Sequence, residues 1–255
     1  MAIAARRDIL QPSLCTAMDA ALSLLNGFHG ALVHALRPLR SIDCANAVDR
    51  CARNRLRIGA AAIGMFGLGV QLASEVGSTV NIFEATCRFL CYFTFWTNAI
   101  AALSMLIPVL APSGPLGSFL SRPAVRTVIA ANLLVVGVVY HCFLSEPFEP
   151  TWGYQADLYL HYITPALYLA DWYFRVPHTR LAWRTALRAV AVPLPYGIWM
   201  MGYGAITQWY PYPFIEVQTL GAVETVLNLF CLSCVFMIAA AMLVLVDRLA
   251  HRIVQ

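Results

Sequence analysis

The sequence predicts an all-α polytopic integral membrane protein, a bundle of six transmembrane helices with both termini in the cytoplasm. Three observations predict it. The 255 residues are 60% apolar and 12% charged, against about 45–50% and about 25% in a soluble domain, and mean hydropathy is +0.68. Six segments approach the roughly 20 apolar residues that a helix needs to cross hydrocarbon. Arg residues crowd alternate loops, which is the positive-inside signature.

Residues 1–56 read as a cytoplasmic, Arg-rich arm. Its weakly amphipathic stretch Leu14–Leu36 either lies on the inner leaflet or belongs to a tail without fixed structure. Asp8, Pro12 and Asp19 interrupt any apolar leader, so a cleaved signal peptide is not expected. The transmembrane domain covers 57–247, with spans at Ile58–Val76, Phe89–Leu110, Val125–Leu144, Leu158–Phe174, Ala189–Thr207 and Ala222–Val246. Gly59, Gly64, Gly67 and Gly69 permit close helix approach in the first. The fourth is the shortest, and Pro193 and Pro195 break the fifth. Residues 248–255 form a cytoplasmic tail.

The loops test this count. Arg50, Arg53, Arg55 and Arg57 precede the first span, Arg122 and Arg126 fall between the second and third, and Arg175, Arg180, Arg184 and Arg188 between the fourth and fifth. Arg248 and Arg252 follow the sixth. The alternate loops hold Arg88 alone against Glu75, Glu84, Glu146, Glu149, Asp157 and Glu216. An odd number of spans destroys that asymmetry. The net charge of +4, with no Lys in the chain, reflects this rule and a GC-rich bacterial genome, not a nucleic-acid partner. The expected location is a bacterial plasma (inner) membrane.

Polar groups collect near the outer face. Thr94 lies roughly 9 Å and His161 roughly 6 Å below the boundary if each helix rises about 1.5 Å per residue from Arg88 and Asp157. A hydroxyl and an imidazole at matching depth are the minimum for ester hydrolysis by a side-chain nucleophile. Asp157 is four residues from His161 and shares its helical face. Asn98, one turn from Thr94, is placed to donate to a developing oxyanion, and Thr97 is the reserve nucleophile. His141 ends the third span on the same side. The run Thr207-Gln208-Trp209-Tyr210-Pro211-Tyr212-Pro213-Phe214-Ile215-Glu216 closes the fifth. It makes Trp209, Tyr212 and Glu216 candidates for substrate contact. Simpler roles compete. A helical Thr commonly returns its hydroxyl to a carbonyl one turn back, and a membrane His serves equally as an interhelical hydrogen-bond donor.

Other polar residues read as structural. Cys231 and Cys234 have redox-pair spacing but sit mid-span, where small residues pack. Asp171 can pair with Arg175 across one turn. His141 and His161 are too few for a metal, so neither metal nor cofactor is expected.

The order Thr94-Phe95 after an aromatic pair, His161 with Pro165 nearby, then Trp209-Tyr210-Pro211-Tyr212-Pro213-Phe214-Ile215-Glu216 resembles the androgen-induced-gene family of integral membrane proteins, most of all its bacterial six-helix branch. The resemblance covers about residues 58–247, and the Tyr-Pro-Phe-Ile-Glu run is its most specific part. Animal members are threonine hydrolases that cleave fatty acid esters of hydroxy fatty acids. The resemblance implies Thr94 as nucleophile and His161 as base. Here Pro165 stands one residue nearer the histidine than in the animal pattern. The leading expectation is a lipid ester hydrolase at the outer leaflet, with a fatty-ester substrate and Asp157 holding the imidazole. A non-enzymatic lipid-binding or scaffold protein, or a small-solute or proton transporter using His161, His141 and Glu216, are the alternatives.

Overall fold

A computed structural model describes residues 47–78, 81–145 and 151–254. The chain divides into two units, residues 1–43 and 44–255. The first, with the stretch Leu14–Leu36, lies outside the described residues. Every regular element among those residues is a helix.

Helix α1 (Ala47–Ser78) begins ahead of residue 57 and runs the length of the bundle. After α2 (Ile82–Cys91) the chain turns at Tyr92, whose backbone is extended (φ −80°, ψ 128°), and α3 starts at Phe93 and ends at Leu110. The expected second span is therefore not continuous from Phe89. The Phe93 N–H donates to the Tyr212 hydroxyl at 2.9 Å, an outside partner that stands in for a helical carbonyl. Thr94 consequently sits in the first turn of α3, and the depth reckoned by unbroken rise from Arg88 does not apply.

The short α4 (Pro115–Leu120) leads to α5 (Pro123–Val139), which passes into a π-helical segment, Tyr140–Leu144. Helix α6 (Trp152–Asp157) continues without a break through a second π-helical segment, Leu158–Ile163, into α7 (Thr164–Arg175). After α8 (Arg184–Leu187) and a 3-10 turn, α9 (Pro193–Thr207) opens on Pro193, where a missing N–H costs nothing. Gln208 closes α9 in the left-handed region at φ 57°. A 3-10 turn (Pro213–Ile215) and α10 (Val217–Leu220) precede α11 (Ala222–Val254). Arg248 and Arg252 thus belong to the last helix rather than to a separate tail.

Among the described residues five helical stretches are long and apolar enough to cross a membrane: Ala52–Ser78, Phe93–Leu110, Pro123–Leu144, Arg184–Thr207 and Ala222–Ile253. The expected span Leu158–Phe174 is helical but is not among them. His161 and Asp171 within it, and Asp157 and Arg175 at its two ends, dilute the apolar content of this helix, and it packs on α1 and α5. The core is built around α5, where Ala130, Ala131 and Leu133 are fully buried against α3, α7 and α11.

Two glycines bring neighbours onto the π-helical segment that carries His161. A Cβ at Gly67 would stand 2.8 Å from the Tyr159 Cβ, and one at Gly137 would stand 2.8 Å from the His161 carbonyl oxygen. Gly59 and Gly69 face open space, so only part of the expected glycine run acts in packing.

Candidate active site

Pro165 explains the local backbone at His161. Proline has no N–H and cannot close a helical hydrogen bond to a carbonyl one turn earlier. The helix widens there instead, and the Thr164 N–H reaches back to the Tyr159 carbonyl. The Leu160 carbonyl takes a side-chain donor, the Asn98 amide, at 3.2 Å. Single π turns of this kind recur at functional sites.

The widened turn delivers the imidazole to α3. The Thr94 hydroxyl oxygen lies 3.1 Å from His161 Nε2. On the other side of the ring, Nδ1 faces two oxygens of Asp157, the backbone carbonyl at 3.2 Å and a carboxylate oxygen at 3.3 Å. Both are acceptors, so the ring proton belongs on Nδ1. That leaves the Nε2 lone pair aimed at the Thr94 hydroxyl, the tautomer a general base needs. Tyr140 stacks on the imidazole, centroids 3.9 Å apart and planes within 14°. Thr94 and His161 are both buried.

Two cavities meet at this pair. One, of about 420 Å³, is lined by apolar side chains of α5, α9 and α11, among them Val135, Leu194, Ile198 and Phe236. The other, of about 480 Å³, carries Gln71, Tyr92, Thr151, Tyr154 and Asp157. Thr94, His161, Tyr140, Leu144 and Tyr212 line both. The Thr94–His161 pair therefore stands on the boundary between an oily chamber and a polar one.

The remaining expected residues are distributed differently. Asn98 is fully buried, and its two amide hydrogens go to the Thr94 carbonyl at 2.9 Å and the Leu160 carbonyl. It ties α3 to the π-helical segment and has no donor left for an oxyanion. Thr97 returns its hydroxyl to the Phe93 and Thr94 carbonyls, at 3.1 and 3.2 Å, and lines neither cavity. His141 is exposed and sits 3.2 Å from the Tyr162 hydroxyl. Trp209 packs beneath the Arg88 guanidinium and edge-on to Tyr92. Glu216 accepts from Thr219 at 2.8 Å, at the start of α10. None of these last three lines either cavity.

Tyr212 is the loop residue that reaches the pair. Besides accepting the Phe93 N–H, it lines both cavities together with Thr94. Burial pushes its phenol above the ordinary value, so the group stays protonated and able to donate. Tyr140 was not legible as a site residue. Its only signal was adjacency to His141, the neighbour that faces away. Among the described residues no group of three or more His, Cys, Asp or Glu is arranged to hold a metal ion. Cys231 and Cys234 are both free thiols. Comparison with protein-family models, curated proteins and solved structures finds no match to this chain.

Proposed function

We propose that this chain is a membrane-embedded lipid ester hydrolase that uses Thr94 as nucleophile, His161 as general base and Asp157 as the group that orients the base. We read it as a bacterial inner-membrane relative of the androgen-induced-gene family, with six spans, both termini cytoplasmic and the site near the outer leaflet. The observation that carries the reading is the hydroxyl–imidazole–carboxylate series at the junction of an apolar and a polar cavity.

In the first half-reaction the Thr94 oxygen attacks the ester carbonyl as its proton passes to His161 Nε2. Asp157 stabilises the imidazolium so formed. The oxyanion develops beside the first turn of α3, where the Tyr212 hydroxyl, polarised by the Phe93 N–H, donates to it. Collapse of the tetrahedral species expels the alcohol, which takes the proton from His161 and leaves an acyl-threonine. Water from the polar chamber then gives a proton to His161 and attacks the acyl carbon. The fatty acid departs and Thr94 recovers its hydrogen.

The test is labelling of the purified protein with a hydroxyl-directed fluorophosphonate, with the adduct mapped by mass spectrometry. Labelling on Thr94, absent in Thr94→Ala, is expected. Undiminished labelling of Thr94→Ala would overturn the reading. The apolar cavity alone also suits a lipid-binding protein without chemistry, and that alternative predicts no adduct. Topology is tested separately. A reporter active only outside the cytoplasm should work when fused after Pro150 or Pro211 and stay silent after Pro115 or His178.

A further inference from the structure

The chamber on the Asp157 side has a charge pattern that selects the alcohol half of the ester. Its described lining includes one carboxylate, Asp157, whose side chain is 33% exposed, and neither Arg nor Lys. A second carboxylate stands directly behind the wall. Gln71 donates to Glu75 at 3.2 Å, and burial together with the Glu75 charge raises the Tyr92 phenol above its ordinary value. Arg88, whose charge acts on Tyr92, is paired with Glu84 at 2.7 Å and lies over the Trp209 ring, outside the described lining. The rest of the polar lining is amide and hydroxyl: Gln71, Tyr92, Thr151 and Tyr154.

Such a wall offers hydrogen bonds to hydroxyl groups and repels anions. An acid carried on the leaving alcohol would have to approach Asp157 in a setting where charges interact far more strongly than in water. The described lining of the opposite chamber contains no Asp, Glu, Arg or Lys, and it is the place for one hydrocarbon chain. Resting on the hydrolase reading, we infer that the substrate is an ester of one fatty acyl chain with a small neutral polyol, of the glycerol monoester kind, rather than one whose alcohol half bears a carboxylate or phosphate. This departs from the hydroxy-fatty-acid esters that the family resemblance implies.

Three palmitoyl esters presented to the full chain in neutral detergent micelles test it: the glycerol monoester, the ester of a hydroxystearic acid, and the methyl ester of that same compound. The last two differ by the methyl group that removes one negative charge, and release of palmitate is the readout for all three. The glycerol monoester and the methylated compound should be cleaved with kcat/KM about tenfold or more above the free acid. Gln71→Arg, which sets a cation in the chamber wall, should narrow that gap by raising the free-acid rate. Thermal stability is to be followed in parallel. Free acid cleaved as fast as its methyl ester would overturn the inference while leaving the hydrolase reading intact. So would fluorophosphonate labelling of Thr94 without glycerol-ester cleavage. Absence of both labelling and cleavage would remove the hydrolase reading and this inference together.

Discussion

Two His–Asp pairs stand at opposite ends of the bundle, His161–Asp157 and His178–Asp247, with Nδ1 to carboxylate distances of 3.3 and 3.1 Å. Their far nitrogens differ. Nε2 of His161 meets the Thr94 hydroxyl where two cavities open. Nε2 of His178 meets the Tyr173 carbonyl at 3.0 Å, and Asp247 is occupied further by the N–H groups of Thr179 and Leu181. The second pair joins the loop after α7 to the end of α11, helped by His251 on the His178 carbonyl. It is a latch with no nucleophile and no cavity of those two. A His–Asp pair becomes a candidate site through what the outer nitrogen faces and whether a substrate can reach it.

Breaking each pair should separate chemistry from stability. The largest effect is expected for Thr94→Ala and His161→Ala, each lowering ester turnover on the order of 10⁴-fold, with the double variant no worse because the two act as a unit. His178→Ala should leave kcat per folded molecule unchanged. An additive double variant at Thr94 and His161 would show that they do not share a step. Next, Asp157→Asn should lower kcat about 10³-fold with the fold intact. By contrast, Asp247→Ala should cost about 3 kcal/mol of stability in detergent, since it strands a buried partner. Equal activity losses for the two aspartates would erase the distinction between the two pairs.

Smaller effects sharpen the site itself. Tyr212→Phe removes the proposed oxyanion donor while keeping the ring, and kcat should fall about 10²-fold with little change in KM. A change confined to KM would make Tyr212 a substrate contact only. The smallest effect belongs to Thr97→Ala. Activity should stay within about twofold, because its hydroxyl is committed to α3 carbonyls, and stability should drop by about 1 kcal/mol or less. Nucleophile loss in Thr97→Ala with retention in Thr94→Ala would reverse their roles.

The central pair was readable in advance because composition forces the question. A Thr and a His inside apolar segments are few enough to be singled out, and Asp157 shares a face with His161 by helical spacing alone. Asn98 and His141 show where spacing stops helping. One-turn spacing placed Asn98 next to Thr94, yet a carbonyl left open ahead of Pro165 claims its amide. The sequence puts His141 at the same end of the bundle as His161, but its helix turns it outward and presents Tyr140 instead.

The sequence by itself determined the helical class, the apolar character of the spans and the short roster of polar residues near one end, because hydropathy and one-turn spacing are local properties. It also carried the cause of the widened turn, in Pro165 four residues after His161. Tertiary structure decided which way each side chain points, that the chain turns at Tyr92 so that Thr94 opens a helix, and that Tyr212 arrives from a distant loop. Those outcomes depend on contacts between residues more than 60 positions apart, such as Thr94 with His161 and Phe93 with Tyr212. No local spacing rule encodes them; the packing of α3 against α1, α5 and the π-helical turn does.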